Sequence, residues 1–315
     1  MVTRAVGWLW LFYLAAILGI GLLQLPCQFT FCGEPDFLFY LGTGLGLLGF
    51  ALASLWRLRP LAPELFRRPR LAEFGLPLWS IPVSLSFAIF AFNVLPQAEG
   101  NIALPQQAGW DVLLPIWLVV AVVVPLAEES LFRGWLLRGF RLNDGLGTAV
   151  WLSALLFGLA HLLPAVVVYA LGAGLIWGRY IACGGSIWAT VFAHAVGNSV
   201  PFLLILLGDF QPSGAAQVAQ RAPDPLIGVG FLLFGIALVW LYFSRNPLPA
   251  LQAPAAVKDP TQPSVEQTFV WEPAPQPVEK PAEQHKGEFS VALLITVALL
   301  LAGCVIALVD TLGSR

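Results

Sequence analysis

Apolar runs about as long as a membrane is thick recur along this chain, and they restrict it to a bundle of membrane-crossing helices. A helix needs about 20 largely apolar residues to cross the hydrocarbon layer. Segments of that order lie at residues 5–25, 37–56, 76–95, 112–131, 187–207, 226–243 and 291–309, with two shorter ones at 146–163 and 165–180. Nine spans in an all-α polytopic bundle are therefore expected, the pair flanking Pro164 forming a hairpin or a broken helix. Only 11% of the 315 residues are charged, against about 25% in a soluble domain. The first run is longer than a signal-peptide core and no small-residue cleavage signal follows it, so it reads as a retained helix. Twelve tryptophans suit an aromatic belt at the interfaces. A net charge of −2 gives nucleic acid nothing to bind.

Arginine placement orients the bundle. Arg57, Arg59, Arg67, Arg68 and Arg70 lie between the second and third spans, Arg133, Arg138 and Arg141 after the fourth, and Arg179 after the sixth. The loops with Glu34 and Asp36, and with Glu99 and Asp111, have no Lys or Arg. The positive-inside rule then places the amino terminus in the cytoplasm. With no organelle-targeting signal, a bacterial inner membrane is the expected location. Cys27 and Cys32 flank a loop on the outer side, where a disulfide or two free thiols would both be stable. No CxxC occurs. Residues 246–288 are rich in Pro, Gln and Glu and read as a disordered cytoplasmic linker to the last span. The expected division is thus 1–111 (amino-terminal spans), 112–208 (functional core), 209–245 (an added span), 246–288 (linker) and 289–315 (last span). Gly42, Gly46 and Gly49, and Gly174 and Gly178, have the spacing that lets helices approach closely in lipid.

Polar residues interrupt three of the core runs. Glu128 and Glu129 follow an apolar stretch, Arg133 comes next, His161 ends a second run, and His194 and Asn198 sit inside a third. An ionisable group at bilayer depth costs about 2.5–3.5 kcal/mol on insertion scales, so such residues mark function or paired partners. The third histidine, His285, is in the linker. Glu129 and Arg133 are four apart and share a face, as do Phe157 and His161, and His194 and Asn198. Glu128 is rotated about 100° from Glu129 and is left to face another partner. Three polar stripes on three helices define one polar chamber. A carboxylate there, with His161, is suited to deprotonate a water, and His194 and Asn198 supply donors for a developing oxyanion. Ser130 and Ser199 turn away from their polar neighbours' faces, so an activated water is a better nucleophile than either. A divalent metal such as zinc, held by Glu128, His161 and His194, is the competing chemistry; no HExxH is present. Read singly, the acidic pair with Arg133 would also suit a helix end, and each histidine a packing role. That account needs three coincidences in adjacent helices.

The stretches AEESLFRGWLLRGF, FGLAH and HAVGN contain EExxxR, FxxxH and HxxxN in order. Together they resemble the CPBP (CaaX protease and bacteriocin-processing, or Abi) family, which includes the type II CaaX prenyl endopeptidases. The resemblance covers roughly residues 113–207. It implies an all-helical bundle with a conical chamber open to cytosol and lipid. It implies Glu128 and His161 as the base pair on water, His194 and Asn198 as oxyanion donors, and Glu129 and Arg133 as supports. Metal dependence stays open. The expected function is an intramembrane endopeptidase acting on a peptide or protein substrate, prenylated or otherwise lipidated in the eukaryotic example, with membrane lipid as the other partner. The alternative is a non-proteolytic member acting as immunity factor or scaffold. A proton-coupled transporter would need internal repeats, and none is convincing.

Overall fold

The computed structural model describes residues 2–27, 35–95, 110–206, 224–248 and 291–313, and among these every regular element is helical. Helices α1 (Val2–Cys27) and α2 (Pro35–Leu58) form a closely packed pair. Their contact runs through glycine: a methyl group on Gly19 would overlap the Gly42 carbonyl, and one on Gly46 the Ala15 carbonyl. Without Cβ atoms the two backbones touch, and dispersion replaces the hydrophobic drive that lipid removes. Gly42 and Gly46 act as their spacing predicts, whereas Gly49 faces open space.

Two 3₁₀ turns, Pro63–Phe66 and Leu71–Phe74, and a short helix α3 (Gly75–Leu78) lead into α4 (Ser80–Val94). A clasp ties this connection to the far side of the bundle. The Arg67 guanidinium donates to both Glu73 carboxylate oxygens (3.0 and 2.7 Å) and to the Gly184 carbonyl (3.2 and 3.0 Å), while Ser186 Oγ donates to the Arg67 carbonyl at 2.7 Å.

A long rod then carries the acidic pair. It comprises α5 (Trp110–Leu118), a π-helical turn (Val119–Val123), α6 (Val124–Glu129), a second π-helical turn (Ser130–Leu136) and α7 (Leu137–Asp144). Pro125 offers no N–H and crowds the carbonyl one turn back, so the backbone widens just ahead of it. Gly145, at φ 80°, reverses the chain into α8 (Leu146–Leu159).

Helix α9 (Pro164–Ala182) starts with proline at its first position and packs along α8. Gly174 lies against Ala154 and Phe157, and Gly178 against Val150, so this glycine pair also brings helices together. Gly184, at φ 86°, turns the chain into α10 (Ile187–Leu206). Asp224 caps α11 (Pro225–Arg245) by accepting from the Leu226 and Ile227 N–H groups. The last helix is α12 (Val291–Gly313). Helix α4 packs between α9 and α11, α10 crosses α6, and α12 touches α1, α8 and α9.

All nine expected segments are helical. Among the described residues, five stretches are long and apolar enough to cross a membrane: Phe39–Leu58, Leu71–Val94, Trp110–Leu142, Pro164–Ala182 and Pro225–Arg245. Helix α8, with 14 residues, rises only about 21 Å and does not traverse a layer about 30 Å thick. Together α8 and α9 make the hairpin expected around Pro164. The 246–288 stretch, apart from 246–248, and the Cys27–Cys32 pairing lie outside the described residues and side chains.

Candidate active site

Where α10 crosses α6, two consecutive glutamates reach one imidazole. His194 Nδ1 is 3.2 Å from Glu129 Oε1, and His194 Nε2 is 3.6 Å from Glu128 Oε2. The roughly 100° between the glutamates does not separate their targets, because the ring stands between them and offers a nitrogen to each side. Glu129 Oε2 is also 3.3 Å from Arg133 Nε, and both of those side chains are fully buried. The i,i+4 pair read from the sequence is present, and His194 joins it.

Aromatic rings wall this cluster. The Arg133 guanidinium lies 4.4 Å from the Phe157 ring centre and 5.0 Å from that of Trp177. None of its nitrogens makes a hydrogen bond among the described residues, so the carboxylate and the two ring faces carry the charge. Trp177 stacks on His194 with centroids 4.6 Å apart and 30° between planes, and its indole N–H donates to the Pro77 carbonyl at 3.1 Å. Phe157 stands edge-on to His194, His161, Trp177 and Phe132, with centroids 5.1–5.8 Å apart.

His161 sits in the turn between α8 and α9. Its Nδ1 is 2.9 Å from the Phe157 carbonyl. A carbonyl only accepts, so Nδ1 carries the proton and Nε2 presents a lone pair. The i,i+4 relation between Phe157 and His161 thus serves a second purpose, fixing the tautomer. The turn is braced from both ends of the chain. Tyr13 on α1 donates to the Ala160 carbonyl at 2.9 Å, and Leu162, at φ 62°, rests against Gly303 on α12.

Asn198, one turn beyond His194, donates one amide N–H to the Val120 carbonyl at 2.9 Å. The acceptor lies in the first π-helical turn, where the widened backbone presents a carbonyl to a side chain. The second N–H remains for another acceptor. Ser130 Oγ donates to the Ala127 carbonyl and Ser199 Oγ to the Ala195 carbonyl, so both hydroxyls are engaged locally.

Glu128, Glu129, Arg133, Phe157 and His194 therefore form one contiguous cluster, with His161 joined through Phe157 and Asn198 through α10. As a metal site the set fits poorly. Among the described residues no group of three His, Cys, Asp or Glu side chains is placed to hold a metal ion.

Trp177 and Tyr13 were not legible in the sequence. Trp177 counts there as one more aromatic in an apolar run, and only the fold stacks it on His194. Tyr13 lies 147 positions from its acceptor, and nothing local marks it.

No curated protein and no solved structure matches the chain. Residues 110–200 match the family model for Type II CAAX prenyl endopeptidase Rce1-like. That range takes in the rod with both π-helical turns, the α8–α9 hairpin and α10 as far as Val200, which hold every group of the cluster just described. Over this segment the chain is similar to the CPBP, or CaaX-protease, family, whose members are in general proteases.

Proposed function

We propose that this protein is an intramembrane endopeptidase that hydrolyses a peptide bond near the membrane-associated end of a protein or peptide substrate, using a water activated by Glu128 and His161. The observation that carries the reading is a single imidazole held between two carboxylates inside an apolar bundle, 3.2 Å and 3.6 Å from them. So expensive an arrangement in lipid is characteristic of a reaction centre.

In this reading Glu128, the less buried glutamate, takes a proton from water, with the lone pair of His161 Nε2 as the second acceptor on that water. The hydroxide attacks the substrate carbonyl carbon. The unused N–H of Asn198 donates to the tetrahedral oxyanion, joined by His194 Nε2–H once Glu128 has taken the water's proton. Collapse of the intermediate returns the proton from Glu128 to the leaving amine. Glu129 and Arg133 hold His194 in place, and Phe157 and Trp177 exclude water from the ion pair. No step is routed through a metal, since the residues present do not gather as ligands. A lipidated substrate suits a site flanked by membrane-spanning helices. The arginine distribution supports an amino terminus in the cytoplasm, and a bacterial inner membrane is the location proposed with it.

The test compares new protein termini in membranes from cells carrying equal amounts of wild-type protein or Glu128→Gln. Termini present only with the wild type are expected and would name the substrate. Identical termini, with both proteins folded, would move the assignment to an immunity or scaffold role.

A further inference from the structure

The connection between α2 and α3 carries more positive charge than its own ion pairs use. Five arginines and two glutamates fall within residues 57–76. Both glutamates are already paired, Glu73 with Arg67 at 2.7 Å and Glu64 with Arg138 at 3.2 Å. Arg57, Arg59, Arg68 and Arg70 are exposed and face no carboxylate among the described residues. Large apolar side chains alternate with them. Trp56 is 73% exposed, with the Arg57 guanidinium 5.4 Å over its ring, and Leu71 is 88% exposed.

The depth of this patch is set on both sides. One apolar span ends at Leu58 and the next begins at Leu71, so the intervening residues run along a membrane surface. The Arg67–Gly184 and Ser186–Arg67 hydrogen bonds hold them flat against the α9–α10 turn. Cations at headgroup level with apolar side chains reaching below them are the two parts of an interfacial anchor.

We propose that this connection is a docking surface for anionic phospholipids, with Arg57, Arg59, Arg68 and Arg70 on the headgroup phosphates and Trp56 and Leu71 in the adjoining acyl layer. A neutral zwitterionic surface would not balance four unopposed cations. A leaflet containing phosphatidylglycerol or another anionic lipid does, each juxtamembrane cation strengthening binding about fivefold. The proposal is independent of the protease reading. It adds a consequence, because Phe66 and Phe74 of the same connection pack edge-on against Trp188 and Phe192 of α10, the helix that carries His194.

The purified full-length chain in a neutral detergent is titrated with phosphatidylglycerol, phosphatidylcholine or inorganic phosphate while thermal unfolding is followed, and retained lipids are counted by native mass spectrometry. Wild-type protein should be stabilised by phosphatidylglycerol well beyond phosphatidylcholine, with no comparable effect of phosphate. Replacing Arg57, Arg59, Arg68 and Arg70 together by Gln should weaken phosphatidylglycerol binding at least about tenfold and leave unfolding in phosphatidylcholine unchanged. If that variant folds poorly, the double variants R57Q/R59Q and R68Q/R70Q carry the test, each losing binding by at least about threefold. A variant that keeps the wild-type preference for phosphatidylglycerol would overturn the proposal, as would stabilisation by inorganic phosphate alone.

Discussion

The α1–α2 seam and the α6–α10 seam join helices in the same bundle by opposite means. Between α1 and α2 nothing polar is needed. Gly19, Gly42 and Gly46 let backbone meet backbone, and contact area replaces the hydrophobic effect. Between α6 and α10 the contact is charge: a buried arginine, two glutamates and an imidazole, wrapped by Phe157 and Trp177. The first seam tolerates no added volume, and the second no lost partner. A membrane protein can therefore be rigid for either reason, but only the second kind of rigidity leaves groups able to move a proton.

Substitutions sharpen this contrast, beginning with the largest effect. Glu128→Gln should lower hydrolysis by about 10²–10⁴-fold while the unfolding temperature stays within a degree or two of wild type; an active variant would remove Glu128 from the chemistry. Arg133→Ala leaves Glu129 buried beside His194 without its cation, and a loss of about 3–5 kcal/mol of stability is expected together with activity. Denaturant unfolding in micelles measures it, and a wild-type melt would show that the pair is not structural. Gly46→Leu forces a side chain into the Ala15 carbonyl and should cost about 1–3 kcal/mol, whereas Gly49→Leu, three residues on in open space, should alter the same unfolding curve little. Equal effects at the two glycines would mean that α1 and α2 do not pack through this seam. Tyr13→Phe removes one neutral hydrogen bond at the His161 turn, worth about 1 kcal/mol. It should lower kcat several-fold with KM unchanged and shift the His161 imidazole NMR signal; a KM change with kcat intact would place Tyr13 in substrate binding instead.

The two seams were not equally legible in the sequence. Glycines three and four apart announce close packing because the pattern is local and its chemistry is simple. Glu129 and Arg133 were legible for the same reason. The meeting of Glu128 with His194 was not, since it depends on how α10 crosses a rod that two π-helical turns have rewound. Spacing on an ideal helix sends Glu128 away from Glu129, and only the position of the ring reunites them. Asn198 teaches the same lesson, its amide meeting a carbonyl that an unbroken α-helix would have kept for its own N–H. The nine apolar segments were legible as helices. Their lengths were less so: Pro164 marks the break after α8, but the helix already ends at Leu159, and no glycine announces the positive φ of Leu162.

That turn has a consequence in time. Its brace comes from Tyr13, near the start of the chain, and from Gly303, beyond residue 300. Synthesis proceeds from one to the other, so every motif of the core has left the ribosome before the second half of the brace exists. A chain cut short before Gly303 would reach the membrane with its three motifs intact and the His161 turn unsupported on one side.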